Sequence, residues 1–118
     1  MDGTAVFIGM AGGLRKVGDT VAPVVGVELQ EVRENGCHTM EAVLPDYDIV
    51  LFVHGYDDDP SAGMMFTRHP FQLAVYTGDE SLRISVARDI FEKLKTLGVP
   101  LMLVDAVQTK LDEWVPFE

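Results

Sequence analysis

The sequence predicts an α+β fold: a mixed, mainly antiparallel sheet of about five to six strands, one long covering helix and a short C-terminal helix, with an α/β-like C-terminal half. Three observations carry this. Asn35-Gly36 sits between two alternating segments and is the preferred pair for a two-residue type I′ hairpin turn, where both positions need positive φ. Short apolar runs recur between turn residues, as strands do. One amphipathic segment, "TGDESLRISVARDIFEKLKTLG", carries apolar residues at helical spacing. At 118 residues, the chain is expected to form a single globular domain. Its 47% apolar and 24% charged residues are too hydrophobic and too weakly charged a mixture for a disordered chain.

Taken in order, "TAVFIGM" is an apolar strand ended by the turn "AGG", and the polar, glycine-punctuated "LRKVGDT" that follows is expected to be a loop. The next segment, residues 21–45, is the hairpin. Its turn sets Glu34 opposite Cys37, Val32 opposite Thr39, Leu29 opposite Ala42 and Val27 opposite Leu44. One face then holds Val27, Leu29, Met40, Ala42 and Leu44, and faces a core. The other holds Glu28, Gln30, Val32, Glu34, Thr39 and Glu41, and faces water. "DIVLFVH" is continuously apolar and reads as a strand buried on both faces. After it runs the long connection "HGYDDDPSAGMMFTRHP", then the strand "FQLAVYT".

The covering helix begins at a capping box of Thr77 and Glu80, with Asp79 favouring the same end, and stops at Gly98. Its apolar stripe is Leu82, Val86, Ile90, Phe91, Leu94 and Leu97. "VPLMLV" is a buried strand. "DAVQTKLDEW" is the short C-terminal helix, with Asp105 as N-cap and Val107, Leu111 and Trp114 as its stripe. The passage from Phe71 to Val104 is strand, helix, strand, a crossover that makes the two strands parallel and the sheet mixed.

Charge narrows the function. Nineteen acids against nine bases give a net charge of −10, which disfavours nucleic acid and anionic membrane surfaces and favours a basic partner. From Glu34 to Thr67 there is no lysine or arginine, while Glu34, Glu41, Asp46, Asp48, Asp57, Asp58 and Asp59 are all acidic. No apolar run reaches the roughly 18–20 residues of a membrane span. The N-terminus lacks the basic and long apolar regions of a secretory signal. Cys37 is the only cysteine, so no intrachain disulfide forms, and a reducing, cytoplasmic location is expected.

Chemical motifs are weak throughout. Asp57, Asp58 and Asp59 are contiguous and followed by proline, unlike the alternate oxygens of a calcium loop. Cys37 and His38 are neighbours on a strand and point to opposite faces, and with His54 and His69 they show no zinc-ligand spacing. "PSAG" around Ser61 lacks the first glycine of a nucleophile elbow. "IGMAGGLRKVG", with Arg15 and Lys16, fails both phosphate-loop patterns, and Asp79 and Glu80 crowd the helix start after Gly78 with negative charge. No metal or cofactor is expected.

A partner surface is the reading the long connection favours. Asp57, Asp58 and Asp59 would steer a basic partner, Met64, Met65 and Phe66 would supply a desolvated anchor beside Arg68, and Glu28, Glu34 and Glu41 of the hairpin would extend the surface. The competing structural reading is that Met64 to Phe66 tuck under the sheet and the aspartates form a solvated tip. Size and acidity resemble those of immunity proteins and other inhibitors of basic enzymes, a likeness of composition and not of sequence. The expected function is thus a non-enzymatic binding protein with a basic partner, a toxin or enzyme in its most specific form. The alternative is a small enzyme or ligand-binding domain with a pocket near His54 and residues 55–69, using His54, Asp57 or His69. A third expectation is self-association through Trp114, Val115 and Phe117.

Overall fold

The computed structural model describes residues 3–106 and 108–116. Seven strands and two helices follow one another: β1 (Thr4–Ile8), α1 (Leu14–Val25), β2 (Gln30–Glu34), β3 (Cys37–Val43), β4 (Asp48–Val53), β5 (Phe71–Tyr76), α2 (Glu80–Leu94), β6 (Leu101–Asp105) and β7 (Thr109–Trp114). The strands form a single sheet in the order β2-β3-β4-β5-β1-β6-β7. The fold is α+β, as the alternation of runs and turns indicates.

Every neighbouring pair in the sheet is antiparallel, so the sheet is not mixed. The reason is where β1 sits. β5 and β6 both pair antiparallel with it, so they run parallel to each other on its two sides while α2 connects them. This is a split β-α-β arrangement, and the crossover expected between residues 71 and 104 exists with a strand inserted in its middle. All five residues of β1 are buried, as a central strand covered on both faces requires.

α1 and α2 lie on one face. Leu14, Val17 and Val21 of α1 and Ile90, Phe91 and Leu94 of α2 close the main core over Val6, Ile8, Leu51, Leu73, Leu101 and Leu103. α1 replaces the loop expected at "LRKVGDT". Its Leu14, Val17, Val21 and Val25 make a buried stripe, and Gly18 lets the helix approach β3, where a Cβ would meet Met40 Cε at 2.8 Å. Packing thus overrides the poor helix propensity of Gly18 and Pro23. Gly26 ends α1 at φ 83°, its N–H donating to the Ala22 carbonyl at 2.8 Å. The helix takes up residues expected to open the hairpin, and regular pairing of β2 begins only at Gln30.

α2 is capped by Asp79, whose carboxylate accepts from the Leu82 N–H at 3.1 Å, in place of the expected Thr77–Glu80 box. Thr77 Oγ1 instead accepts from the Asp79 N–H. A short 3-10 turn, Lys95–Leu97, extends α2 to Gly98, which is left-handed as expected.

The short C-terminal helix is not formed: residues 109–114 are β7. Asp105 ends β6 and opens a turn, its carbonyl accepting from the Gln108 N–H. Val107, part of the expected stripe, lies outside the described residues. The helical spacing of Leu111 and Trp114 has a different origin. The register shifts between Leu103 and Val104, which pair with Asp112 and Lys110, so Leu111 is the extra residue of a bulge. That bulge brings both Leu111 and Trp114 against the main core.

Candidate partner-binding surfaces

The register defines the sheet face opposite the helices. Glu41 pairs with Val50, Val50 with Ala74, Ala74 with Ala5 and Ala5 with Val104, so these side chains share that face. Its inner end is roofed by the 54–70 connection, and its outer end, across the hairpin, has no covering element. β4 reports the difference. Ile49 and Leu51 are buried on the helix side, while Val50 and Phe52 on the other face are only half-buried, so this strand is not buried on both faces as its composition suggests.

The roof is built from within the chain. The His54 N–H donates to the Pro70 carbonyl at its base, and the Asp59 and Met64 backbones exchange hydrogen bonds of 2.7 and 2.9 Å. The Asp59 carboxylate accepts from Ser61 Oγ at 2.7 Å and the Ala62 N–H at 3.4 Å, fixing a 3-10 turn. The Asp58 carboxylate accepts from the Thr67 N–H at 2.8 Å and from Thr67 Oγ1, which holds it below the usual carboxylate range. From β7, Lys110 Nζ donates to the Gly63 carbonyl at 3.0 Å. The connection passes so close to β1 that a Cβ on Gly9 would stand 2.8 Å from the Arg68 carbonyl.

Met64 and Phe66 point inward, 1% and 3% exposed, and pack on Ala5, Phe7, Ala74 and Met102. They are not exposed anchors in this conformation. Met65 is half-buried, and Asp57 and Arg68 are exposed. Of three consecutive aspartates, then, two hold the connection in shape and Asp57 alone has its carboxylate free of internal hydrogen bonds.

The histidines are equally committed. His54 Nδ1 accepts from the Tyr56 N–H at 3.1 Å, and its Nε2–H donates to the His69 carbonyl. The ring lies against Phe7, Tyr56 and Phe66, and burial lowers its pKa against the opposing pull of the His69 carbonyl. His69 is 2% exposed, with Nδ1–H donating to the Met65 carbonyl at 3.0 Å and a buried Nε2 without a partner. Where the alternative reading places a pocket, Met64 and Phe66 fill the space between connection and sheet. Among the described residues, no group of three or more His, Cys, Asp or Glu is placed to hold a metal ion. Ser61 is tied to Asp59, and Cys37 is exposed at the hairpin tip.

The open end centres on the hairpin. Asn35 and Gly36 take φ of 51° and 78°, and the pairs Glu34–Cys37 and Val32–Thr39 form as the turn dictates. Below Gln30 the pairing ceases, and Val27 and Glu28 on one side and Ala42, Val43 and Leu44 on the other border an open cavity of about 440 Å³. Gln30, Val32 and Glu41 complete its lining. Val43 is 83% exposed. The structure therefore brings Glu28 and Glu41 together and leaves Glu34 at the hairpin tip, beside a separate shallow cleft. Sequence reasoning missed Val43, although its signal is present: Thr39, Glu41 and Val43 alternate along a face expected to be polar.

Trp114 packs against the main core while Val115 is exposed, and Phe117 lies outside the described residues. No described helix is long and apolar enough to cross a membrane. No protein-family model, no curated protein and no solved structure matches this chain.

Proposed function

We propose that this chain is a small acidic, non-enzymatic binding protein that engages a basic protein partner through the open end of its sheet, with a cytoplasmic toxin-neutralising immunity or inhibitor role as the most specific form. The observation that carries the reading is one cavity in which Glu28 and Glu41 share the lining with Val43, an apolar strand residue left in water. Carboxylates around a desolvatable apolar centre are the complement of a lysine- or arginine-bearing surface with an apolar contact. The net charge of −10 adds long-range attraction that speeds capture of such a partner. Asp57, exposed in the connection, adds to the negative field, and occlusion of the partner's own site is the mechanism.

The test is capture from the native lysate at low and moderate salt by three baits. These are the wild type, a cavity variant (Glu28→Gln, Glu41→Gln, Val43→Ser) and Asp57→Asn. Asp58 and Asp59 are left intact because neutralising them disturbs the fold of the connection. A basic protein retained by wild type, lost from the cavity variant and weakened by salt is the expected outcome. Equal retention by wild type and cavity variant, or no basic protein at all, contradicts the reading.

A further inference from the structure

We propose that the outer edge of β2 is a self-association surface: two copies of this chain pair their β2 strands antiparallel about Val32, joining two sheets into one. The inference stands apart from the partner reading, since it concerns the edge of the sheet and not its open face.

The two edges of the sheet are finished differently. β7 carries the bulge at Leu111, and its Lys110 reaches the Gly63 carbonyl and the Glu113 carboxylate. Bulges and edge lysines are devices that keep a sheet edge from pairing with another chain. β2, at the opposite edge, has neither. Its residues Gln30–Glu34 pair with β3 in unbroken register and include no glycine, proline or lysine. Among the described residues, no segment pairs with its outer side, and all of the strand except the half-buried Val32 is exposed.

The hairpin turn decides which groups point outward. Residues flanking a two-residue turn exchange both backbone bonds, and bonded positions alternate from there along the strand. Glu34, Val32 and Gln30 therefore bond inward to β3, and Glu31 and Arg33 turn their N–H and C=O groups outward. An antiparallel copy centred on Val32 sets Glu31 opposite Arg33 of the second copy on both sides of the two-fold axis. The outward groups then meet in about four backbone hydrogen bonds.

Charge selects this register. Glu31 lies on the helix side of the sheet, across from the buried Met40, and Arg33 shares that side. Within one copy the two side chains touch at 3.4 Å along the same strand. In the pair, each also faces the opposite charge directly across the axis. On the open side the two Val32 residues meet with Cα atoms about 4.5 Å apart. Sliding the copies by two residues is the smallest shift that keeps faces and outward groups matched. It brings Glu31 against Glu31 or Arg33 against Arg33, and like charges directly opposite are destabilising. The contact uses the same patch on both copies, so association closes at two. Both open faces then lie on the same side of one continuous sheet.

The test is sedimentation of the full chain over a concentration series reaching about 1 mM, where even a weak dimer forms. Salt at about 0.15 M screens the mutual repulsion of two chains of net charge −10. The expected result is a reversible monomer–dimer equilibrium. Arg33→Glu and Glu31→Arg are each expected to weaken it by about tenfold or more, because each sets like charges across the axis. The double exchange, Glu31→Arg with Arg33→Glu, is expected to restore it. Hydrogen exchange reads the same contact in the wild type without any variant. From dilute to concentrated protein, the Glu31 and Arg33 amides are expected to gain protection while the Val32 amide stays unchanged. A monomer throughout, growth beyond two copies, a single exchange without effect, or a double exchange that stays monomeric overturns the proposal. Protection absent from Glu31 and Arg33 overturns it as well.

Discussion

Three aspartates side by side do three different things. Asp57 has a free carboxylate, Asp58 binds Thr67, and Asp59 caps a short turn. Composition at this position reads as one acidic cluster, and only the backbone path separates the roles. Asp58→Asn is therefore expected to speed exchange of the Thr67 amide, while Asp57→Asn leaves it unchanged; equal effects would contradict the assignment. Five residues beyond Asp59, the period-two alternation of Met64, Met65 and Phe66 places the first and third inward. Phe66→Ala is expected to cost about 3–5 kcal/mol in a denaturant titration, the usual range for a fully buried phenylalanine. A loss under about 1 kcal/mol would mean that the ring is not buried in solution.

Among the elements, legibility tracked how far local chemistry decides. The β2–β3 turn follows from Asn35-Gly36 alone, and α2 from its stripe and the stop at Gly98, so both were readable. Which residue caps α2 was not, because Thr77, Asp79 and Glu80 are all capable and the choice depends on where the chain turns. Asp79→Ala is expected to cost about 1 kcal/mol in the same titration, with Thr77→Ala costing less. α1 was illegible for a tertiary reason: Gly18 and Pro23 argue locally against a helix, and only the approach to Met40 explains Gly18. β7 was misread because a one-residue bulge gives a strand the spacing of a helix turn. The hairpin was readable in register and misread in length, since Gly26 ends α1 within the segment assigned to it.

In the molecule as a whole, the two sheet faces are finished differently. One is closed by both helices; the other is closed by the 54–70 connection at β5, β1 and β6 and left open at β2 and β3. The chain's acidity was plain from composition, but the place where it meets exposed apolar surface was not. That depends on where the connection lies and on the loss of pairing below Gln30, both set by contacts distant in sequence. The acidic surface and its apolar contact consequently separate from Met64 and Phe66 and move to Glu28, Glu41 and Val43. The most direct measurement is a hydrogen-exchange footprint of the complex with the captured basic partner. Protection of residues 27–32 and 39–44, with residues 57–66 unchanged, is the predicted result. Protection concentrated on residues 57–66, with none along the hairpin, would contradict the account.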